Sequence, residues 1–270
     1  MHKNYFKGYY FKHQKNNETA ALIPGVANSS AFLQVITNKQ SLSLKYKTIS
    51  FDKVIKIGNC KFSKKGIYIN THNIQGKIIY SELTPIKYDI MGPFKFFPLE
   101  CKHTIISMHH KLNGYLKIDG INYNFNNGVG YIEKDSGYSF PKKYFWLQCN
   151  DFLPKCSVIA SVADIPFMGF KFWGCICVVF YKEKEYRFAT YLGVKIICCN
   201  KNKLVLKQGR YQLEINIQSK NAHALLAPYK GKMTSIIRES NCSAANFKMY
   251  VNNNLLFDLD SENVSFEYNM

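Results

Sequence analysis

The sequence predicts an all-β protein with very little helix, built as two antiparallel β units packed together, each a barrel or a sandwich. Segments in which apolar and polar residues alternate follow one another along most of the 270 residues. Such alternation is typical of strands with one buried face. No segment shows the long 3.6-residue apolar period of an amphipathic helix. The even spacing of many short strands favours sandwiches and closed barrels.

The predicted strands are rich in β-branched and aromatic residues, which fit a pleated, half-buried surface. In the first half they are residues 31–37, 67–71, 77–82, 103–109, 115–118 and 121–125. A central pair covers residues 131–135 and 144–150. The remaining strands are residues 157–162, 171–181, 186–192, 194–198, 203–207, 211–218, 233–237, 247–251, 255–259 and 264–268.

Turn residues indicate how these strands connect. Asp119 and Gly120 separate two alternating segments, and an Asp-Gly pair in that position is a strong signal for a two-residue hairpin. A break near residues 127–130 divides the strands into two sets. We therefore expect an N-terminal β domain over residues 1–128 and a C-terminal β domain over residues 129–270. No repeat of residue identity relates the two.

The segment of residues 131–152 is the most informative part of the chain, because it combines acids, lysines, amides and aromatic rings around a Gly/Pro turn. Alternation places Glu133 and Asp135 on one strand face and Lys134 on the other. On the second strand, Phe145, Leu147 and Cys149 share one face, which indicates core. Tyr144, Trp146, Gln148 and Asn150 share the other face, where rings mixed with amides are typical of a ligand cavity.

Residues 89–101 stand apart as an apolar loop. Pro93 and Pro98 lack the backbone donor that a central strand needs. An apolar loop of this kind either covers the mouth of a barrel or packs at the seam between the two halves, and the sequence favours neither.

Composition narrows the functional classes. A hydrophobic content of 47% excludes general disorder. The first residues lack the apolar region of a signal peptide, and no apolar run reaches the length of a membrane helix. We therefore expect a cytoplasmic protein, in which the nine cysteines are free, buried thiols. The net charge of +18 permits contact with nucleic acid or with an anionic membrane surface. Because the lysines are spread along the chain, we expect nucleic acid not to be a partner and keep peripheral membrane contact as an alternative. No feature indicates an oligomeric state.

His103 and His109 lie near Glu100 and Cys101, and these are residue types that bind metals. The tight ligand spacing of a metal site is missing, however. The alternative is a buried, hydrogen-bonded His103, with His109 or His110 at the surface. We favour this alternative and expect no metal and no cofactor.

Three stretches resemble the tocopherol cyclase family and together span essentially the whole chain. The N-terminal stretch matches at Phe6, Gly8, Tyr10, Phe11 and Lys12, and the C-terminal stretch at Leu226, Ala227, Pro228, Arg238, Glu239 and Ser240. The long central motif matches at Tyr131, Glu133, Lys134, Asp135, Gly137, Phe140, Pro141, Lys142, Phe145, Trp146, Gln148, Cys149 and Asn150. The sequence departs from the family at Tyr9 and Ser136, where the family has tryptophan. The wider family, which includes bacterial carotenoid hydratases, implies paired lipocalin-like barrels.

The resemblance also implies a cofactor-free reaction. A carboxylic acid protonates an alkene of a prenylated quinol or polyene, and a phenol oxygen captures the cation. Such chemistry needs an apolar cavity, aromatic faces and an acid kept neutral by burial. We expect Glu133 and Asp135 to be the catalytic acids, and the substrate-binding residues to be Tyr10, Lys12, Tyr144, Trp146, Gln148, Asn150 and Arg238.

Two alternatives remain open. The same cavity would suit a non-catalytic lipocalin-like protein that binds a hydrophobic small molecule. The motif residues would also suit a purely structural role, in which Glu133, Lys134 and Asp135 form a salt-bridged turn, Trp146 is core, and Arg238 and Glu239 form an exposed pair.

Overall fold

The computed structural model of the protein describes residues 5–167 and 169–270, and these form two antiparallel sheets. The first sheet contains β1 (Phe6–Lys15), β2 (Glu18–Ala27), β3 (Ser30–Thr37), β4 (Ser41–Tyr46), β5 (Ile49–Phe51), β6 (Ile55–Ile57), β7 (Cys60–Ser63), β8 (Gly66–Asn70), β9 (Ile74–Tyr80), β10 (Cys101–Ile118), β11 (Ile121–Asn124) and β12 (Gly128–Gly137). The second contains β13 (Tyr144–Cys149), β14 (Cys156–Phe167), β15 (Phe170–Tyr181), β16 (Lys184–Ala189), β17 (Lys195–Asn200), β18 (Lys203–Gln208), β19 (Tyr211–Gln218), β20 (His223–Tyr229), β21 (Lys232–Val251) and β22 (Asn254–Asn269). The described helical residues are two short 3-10 turns, Gly92–Phe96 and Thr190–Leu192.

Most neighbours in each sheet are also neighbours along the chain. The first sheet runs β4-β3-β2-β1-β12-β10-β9-β8-β7-β6-β5, with β11 added to β10. The second runs β16-β15-β14-β13-β22-β21-β19-β18-β17, with β20 added to β21. In both, the first strand pairs with the last, which brings the ends of each half together. The prediction of two lipocalin-like antiparallel units with very little helix is confirmed, while the division into domains at residue 128 stays a prediction.

The three largest hydrophobic clusters among the described residues hold these sheets together. One lies within the first sheet and includes Leu22, Phe62 and Leu116. A second lies within the second sheet and includes Phe145 and Phe247. The third lies between the sheets, because it contains residues of both, including Tyr10, Ala21, Tyr131, Tyr144, Trp146 and Val178. Each sheet therefore buries one face in its own core and part of the other face against its neighbour.

The observed strands extend the predicted ones. The Asp-Gly turn is confirmed: Ile118 pairs with Ile121, and Asp119 and Gly120 have φ values of 46° and 83°, as a type I′ hairpin turn requires. The predicted strands at 103–109 and 115–118 are two parts of the single 18-residue β10. Likewise, segments 233–237 and 247–251 belong to the 20-residue β21, which bends at register shifts. The predicted strand at 186–192 ends early, at Ala189, where a 3-10 turn begins.

No helix among the described residues has both the length and the apolar character needed to cross a membrane.

Candidate active site

A cavity opens within the cluster that lies between the two sheets. The volume within it that the centre of a water molecule can occupy is about 130 Å³. The walls of the cavity are mainly apolar. The first sheet contributes side chains such as Phe6 and Ile23, and the second contributes Tyr144, Trp146 and Ile176. An apolar cavity between two packed units is a common location for a small-molecule site.

The segment of residues 89–101 forms one wall of this cavity. Met91, Phe94 and Leu99 line it. The segment packs at the seam between the two halves, as one of the two alternatives predicted. The Phe94 ring centroid lies 6.1 Å from that of Tyr191, which is in the 3-10 turn after β16. Arg187, on β16 of the second sheet, donates a hydrogen bond of 3.2 Å from Nη1 to the carbonyl of Asp89. The other alternative, a cover over the mouth of a barrel, stays a prediction.

Three glutamates with almost fully buried side chains line the same cavity, and each accepts a hydrogen bond from a tyrosine. Their exposed fractions are 3% for Glu133, 1% for Glu239 and 9% for Glu267. The tyrosine donors are Tyr131 to Glu133, Tyr10 to Glu239 and Tyr144 to Glu267. Buried carboxyl groups favour their neutral forms, because a charge that leaves water loses its solvation.

Glu133 lies on β12 from the first sheet. Tyr131, two residues earlier on the same strand face, donates a hydrogen bond of 2.6 Å to Glu133 Oε2. Burial, reinforced by the neighbouring Asp135 carboxylate, raises the pKa of Glu133 to about 8. A carboxyl group with this pKa is mostly protonated at neutral pH, so it can donate a proton to a molecule in the cavity.

Glu239 and Glu267 form a pair on the second sheet. They lie directly opposite each other on β21 and β22, and their carboxyl groups are hydrogen-bonded to each other. Burial and the adjacent Glu267 raise the pKa of Glu239 well above its usual range. Burial raises the pKa of Glu267 to about 7, against the lowering effect of the hydrogen bonds from Tyr144 and Glu239. Near neutral pH the pair therefore holds one firmly bound proton and a second that exchanges readily.

An ion pair lies beside Glu133. His103 Nδ1 is 2.7 Å from Asp135 Oδ1, and the two residues are direct partners on β10 and β12. Burial is the largest single influence and lowers the pKa of His103, but the charge and the hydrogen bond of Asp135, together with Glu133 and Glu267, raise that pKa to about 9. His103 is therefore cationic at neutral pH, and Asp135 is its anionic partner.

Cys101 completes a cluster with this ion pair. Among the described residues, the ligand atoms of Cys101, His103 and Asp135 lie within 4.8 Å of one another, which is close enough for a shared metal ion. His103 forms an ion pair with Asp135 within this cluster, and burial with nearby carboxylates raises the pKa of the Cys101 thiol well above its usual range. The expectation that no metal binds here stays a prediction. All nine cysteines are free, as predicted, and six of them are buried, but Cys198, Cys199 and Cys242 are only half-buried.

Aromatic rings from both sheets complete the walls. Tyr10 and Trp146 pack edge to face, with ring centroids 5.5 Å apart. Both line the cavity together with Tyr144. The structure thus brings together five of the residues expected at the site: the acids Glu133 and Asp135 and the three rings.

The four other predicted substrate-binding residues lie away from the cavity walls. Lys12 is fully buried and donates a hydrogen bond of 2.8 Å to the carbonyl of Asn263. Asn150 is buried and donates to the carbonyl of Gly130 at 2.8 Å, and Gln148 is buried on the same strand face. Arg238 is exposed on β21. Their contact with substrate stays a prediction.

Sequence reasoning missed the glutamate pair. Glu239 was expected, as one alternative, to form an exposed pair with Arg238, but its side chain is buried and only Arg238 is exposed. Glu267 carried no prediction. The signal for Glu239 was present, because it continues the strand face that holds Met233 and Ile237, and both of these line the cavity.

The fold and the cavity define the class of protein: a chain of two lipocalin-like sheets that enclose an apolar cavity lined by buried acids. The comparison of sequences gives the family. The tocopherol cyclase-like family matches residues 58–268, and the chain belongs to this family.

Individual relatives are more distant. A probable chloroplastic tocopherol cyclase of Oryza sativa subsp. japonica is 32% identical over 85 residues, which is 31% of this chain and 18% of that protein. The chloroplastic tocopherol cyclase of Zea mays is 40% identical over 57 residues, which is 21% of this chain and 12% of that protein. The chain thus matches less than one fifth of the length of either relative.

Solved structures share the fold over the whole chain. CghA, solved with Sch210972, has a TM-score of 0.64 at 7% identity, covering 99% of this chain and 89% of that chain. Kievitone hydratase from Nectria haematococca has a TM-score of 0.54 at 12% identity, covering 98% of this chain and 88% of that chain. At these identities the likeness shows the fold alone.

Proposed function

We propose that the protein is a cofactor-free enzyme that binds a lipophilic prenylated quinol or polyene in the cavity and protonates one of its double bonds. The observation that carries this proposal is Glu133, a buried acid that is neutral at neutral pH and lines an apolar cavity. Membership of the tocopherol cyclase-like family supports the same chemistry. The name of the structural neighbour kievitone hydratase is compatible with a related reaction, the addition of water.

In this proposal Glu133 transfers its proton to an alkene carbon and leaves a tertiary cation. The apolar walls exclude the water that would otherwise capture the cation. The faces of Tyr10, Tyr144 and Trp146 provide the electron-rich surroundings that favour a positive charge. Capture by a hydroxyl group of the substrate gives a ring, capture by water gives an alcohol, and loss of a proton gives an isomer.

Asp135 has a supporting part in the proposal. Its carboxylate raises the pKa of Glu133, whereas the cationic His103 beside it lowers that pKa. The two opposing charges keep the pKa of Glu133 in a range where its carboxyl group is neutral at neutral pH but can still release a proton. We therefore assign proton donation to Glu133 and assign Asp135, with His103, to setting its acidity.

The test is turnover of a prenylated hydroquinone by the purified protein, followed by detection of the chroman. Glu133→Gln keeps the size and the hydrogen bond from Tyr131 but cannot release a proton, and we expect a loss of at least about 100-fold in rate. Glu82→Gln is the matched control, because Glu82 is an exposed glutamate. Equal rates for Glu133→Gln and the native protein would refute the assignment. Stoichiometric recovery of bound hydroquinone without turnover would identify a binding protein instead.

A further inference from the structure

The glutamate pair has no part in protonating the alkene, yet it lines the same cavity as Glu133. Glu133 belongs to β12 of the first sheet, whereas Glu239 and Glu267 belong to β21 and β22 of the second. A molecule between the sheets therefore meets a single carboxyl group on one wall and a hydrogen-bonded carboxyl pair on the other. One acid is enough to start the reaction, so the second acidic group calls for a separate explanation.

The pair is held in a fixed orientation. Tyr144 donates a hydrogen bond of 2.5 Å to Glu267 Oε2, and Tyr10 donates one to Glu239. The Tyr10 hydroxyl also lies 3.2 Å from Ser265 Oγ. Phenol donors stabilise a negative charge on the pair, which burial alone would disfavour.

Charged and titratable groups of four other strands surround the pair. These neighbours are Tyr10 and Lys12 on β1, His103 on β10, Glu133 and Asp135 on β12, and Tyr144 on β13. Lys12 and His103 are the cations among them, and they favour a negative charge on Glu239 and Glu267 respectively.

We infer that the Glu239–Glu267 pair is the base that accepts the hydroxyl proton of the substrate during the ring closure proposed above. The inference rests on the function proposed above. The Glu133 O–H bond breaks and a C–H bond forms at the alkene. The substrate oxygen then forms a C–O bond to the tertiary cation, and its proton passes to Glu267. At the end of the reaction Glu133 is ionised and the pair carries two protons. The pair then releases one proton to solvent and Glu133 takes one up from solvent, which restores both groups.

The chemistry of the captured oxygen explains why a base is needed. A phenol oxygen that attacks a cation becomes an oxonium ion, which is stable only after its proton has moved to an acceptor. Apolar walls keep bulk water away from that oxygen, so the acceptor has to be a protein group. A hydrocarbon polyene has no such proton, and its isomerisation would leave the pair unused.

Two probes in heavy water separate the steps. The first is a prenylated hydroquinone, which can close its ring. The second is the same compound with the attacking oxygen methylated, which can be protonated on carbon but cannot lose a hydroxyl proton. Ring closure is read as chroman, and protonation as deuterium that enters the prenyl chain of the ether. The variants are Glu267→Gln, Glu133→Gln and the exposed control Glu82→Gln.

For Glu267→Gln we expect ring closure to fall about 100-fold while deuterium enters the ether within about twofold of the native rate. Glu133→Gln should lose both. In Glu267→Ala, added formate should restore ring closure by replacing the missing carboxylate, which a purely structural role would not allow. Should the Glu267 variants not fold, Tyr144→Phe gives the second measurement. The pH below which ring closure is lost should rise, because the pKa of Glu267 loses the lowering effect of this hydrogen bond.

The outcomes separate the inference from the proposed function. If the native protein neither closes the ring nor exchanges deuterium, the proposed function fails, and the inference fails with it. If the native protein does both and Glu267→Gln closes the ring at the native rate, the inference alone is overturned. The inference alone is also overturned if Glu267→Gln loses deuterium entry as severely as ring closure. The pair would then act in protonation of the alkene or in maintaining the structure.

Discussion

Replacing Glu133 by glutamine is expected to stabilise the protein, by an amount that grows with pH. The pKa of Glu133 is about 8 in the folded protein against an ordinary value of 4.5. Below pH 4.5 both the folded and the unfolded chain hold the proton, and ionisation has no effect. As the pH rises towards 8, the unfolded chain releases the proton while the folded protein keeps it, so the free energy of unfolding falls.

The size of the effect follows from that difference. A pKa of 4.5 in the unfolded chain and about 8 in the folded protein lowers the free energy of unfolding by about 5 kcal/mol once the pH exceeds 8. About 4 kcal/mol of this loss develops between pH 5 and pH 9. Glutamine resembles the neutral acid in shape and can accept the same hydrogen bond from Tyr131. The Glu133→Gln protein should therefore lack this pH dependence and otherwise keep the fold.

Urea unfolding at pH 5, 7 and 9 gives the measurement. The buried Trp146 and the half-exposed Trp173 serve as fluorescent probes of the second sheet. The quantity of interest is the difference in unfolding free energy between Glu133→Gln and the native protein at each pH. Glu82→Gln, at an exposed position, serves as the control. A difference for Glu133→Gln that stays constant within about 0.5 kcal/mol from pH 5 to pH 9 would refute the argument that Glu133 is neutral when folded.

Three further predictions concern the same site. Asp135→Asn removes the anion that raises the pKa of His103 to about 9, and imidazole NMR should then show that pKa below 7. Tyr144→Phe removes a hydrogen bond that lowers the pKa of Glu267, so carbon NMR of labelled glutamate should show a value above about 7. Gly8 lines the cavity, and a Cβ there would meet only Ile23, at 3.9 Å. Gly8→Ala should therefore bind a prenylated hydroquinone normally and Gly8→Phe should not, as equilibrium binding would show.

Alternation along the central strand predicted the two faces correctly. Phe145, Leu147 and Cys149 lie in the core of the second sheet, while Tyr144 and Trp146 lie in the cluster between the sheets. The rule works here because side chains of neighbouring residues in a strand point to opposite faces. The same rule placed Glu133 and Asp135 on the cavity side of β12.

Alternation gives the face of a strand on which a residue lies, but it does not show how far along that face the cavity extends. For this reason, some residues that were predicted to bind substrate lie away from the cavity. Gln148 is on the same face as Trp146 but about 7 Å further along the strand, since each residue adds about 3.3 Å. The cavity wall ends at Trp146, and Gln148 is buried beyond it. Where a cavity ends depends on how two sheets pack, and residue order within one strand carries no information about that packing.

Glu267 was missed for a related physical reason. A strand with one face in its own core and polar residues on the other is ordinarily solvated on the polar face. In this chain the polar face of β22 around Glu267 is covered by the other sheet, so a residue that resembles a surface glutamate is 9% exposed. Burial of the second face arises from packing between distant parts of the chain, and a local pattern cannot distinguish it from exposure.

The energetics of the three glutamates argue against a structural role. At neutral pH, Glu133 alone makes folding less favourable by about 3 kcal/mol relative to a neutral residue of the same shape. Each sheet already has its own hydrophobic core, so the interface between them does not need buried acids to hold together. Apolar residues or glutamines at these positions would fill the same space without that penalty. This destabilisation is compatible with the proposed role of the acids in proton transfer to and from a bound molecule.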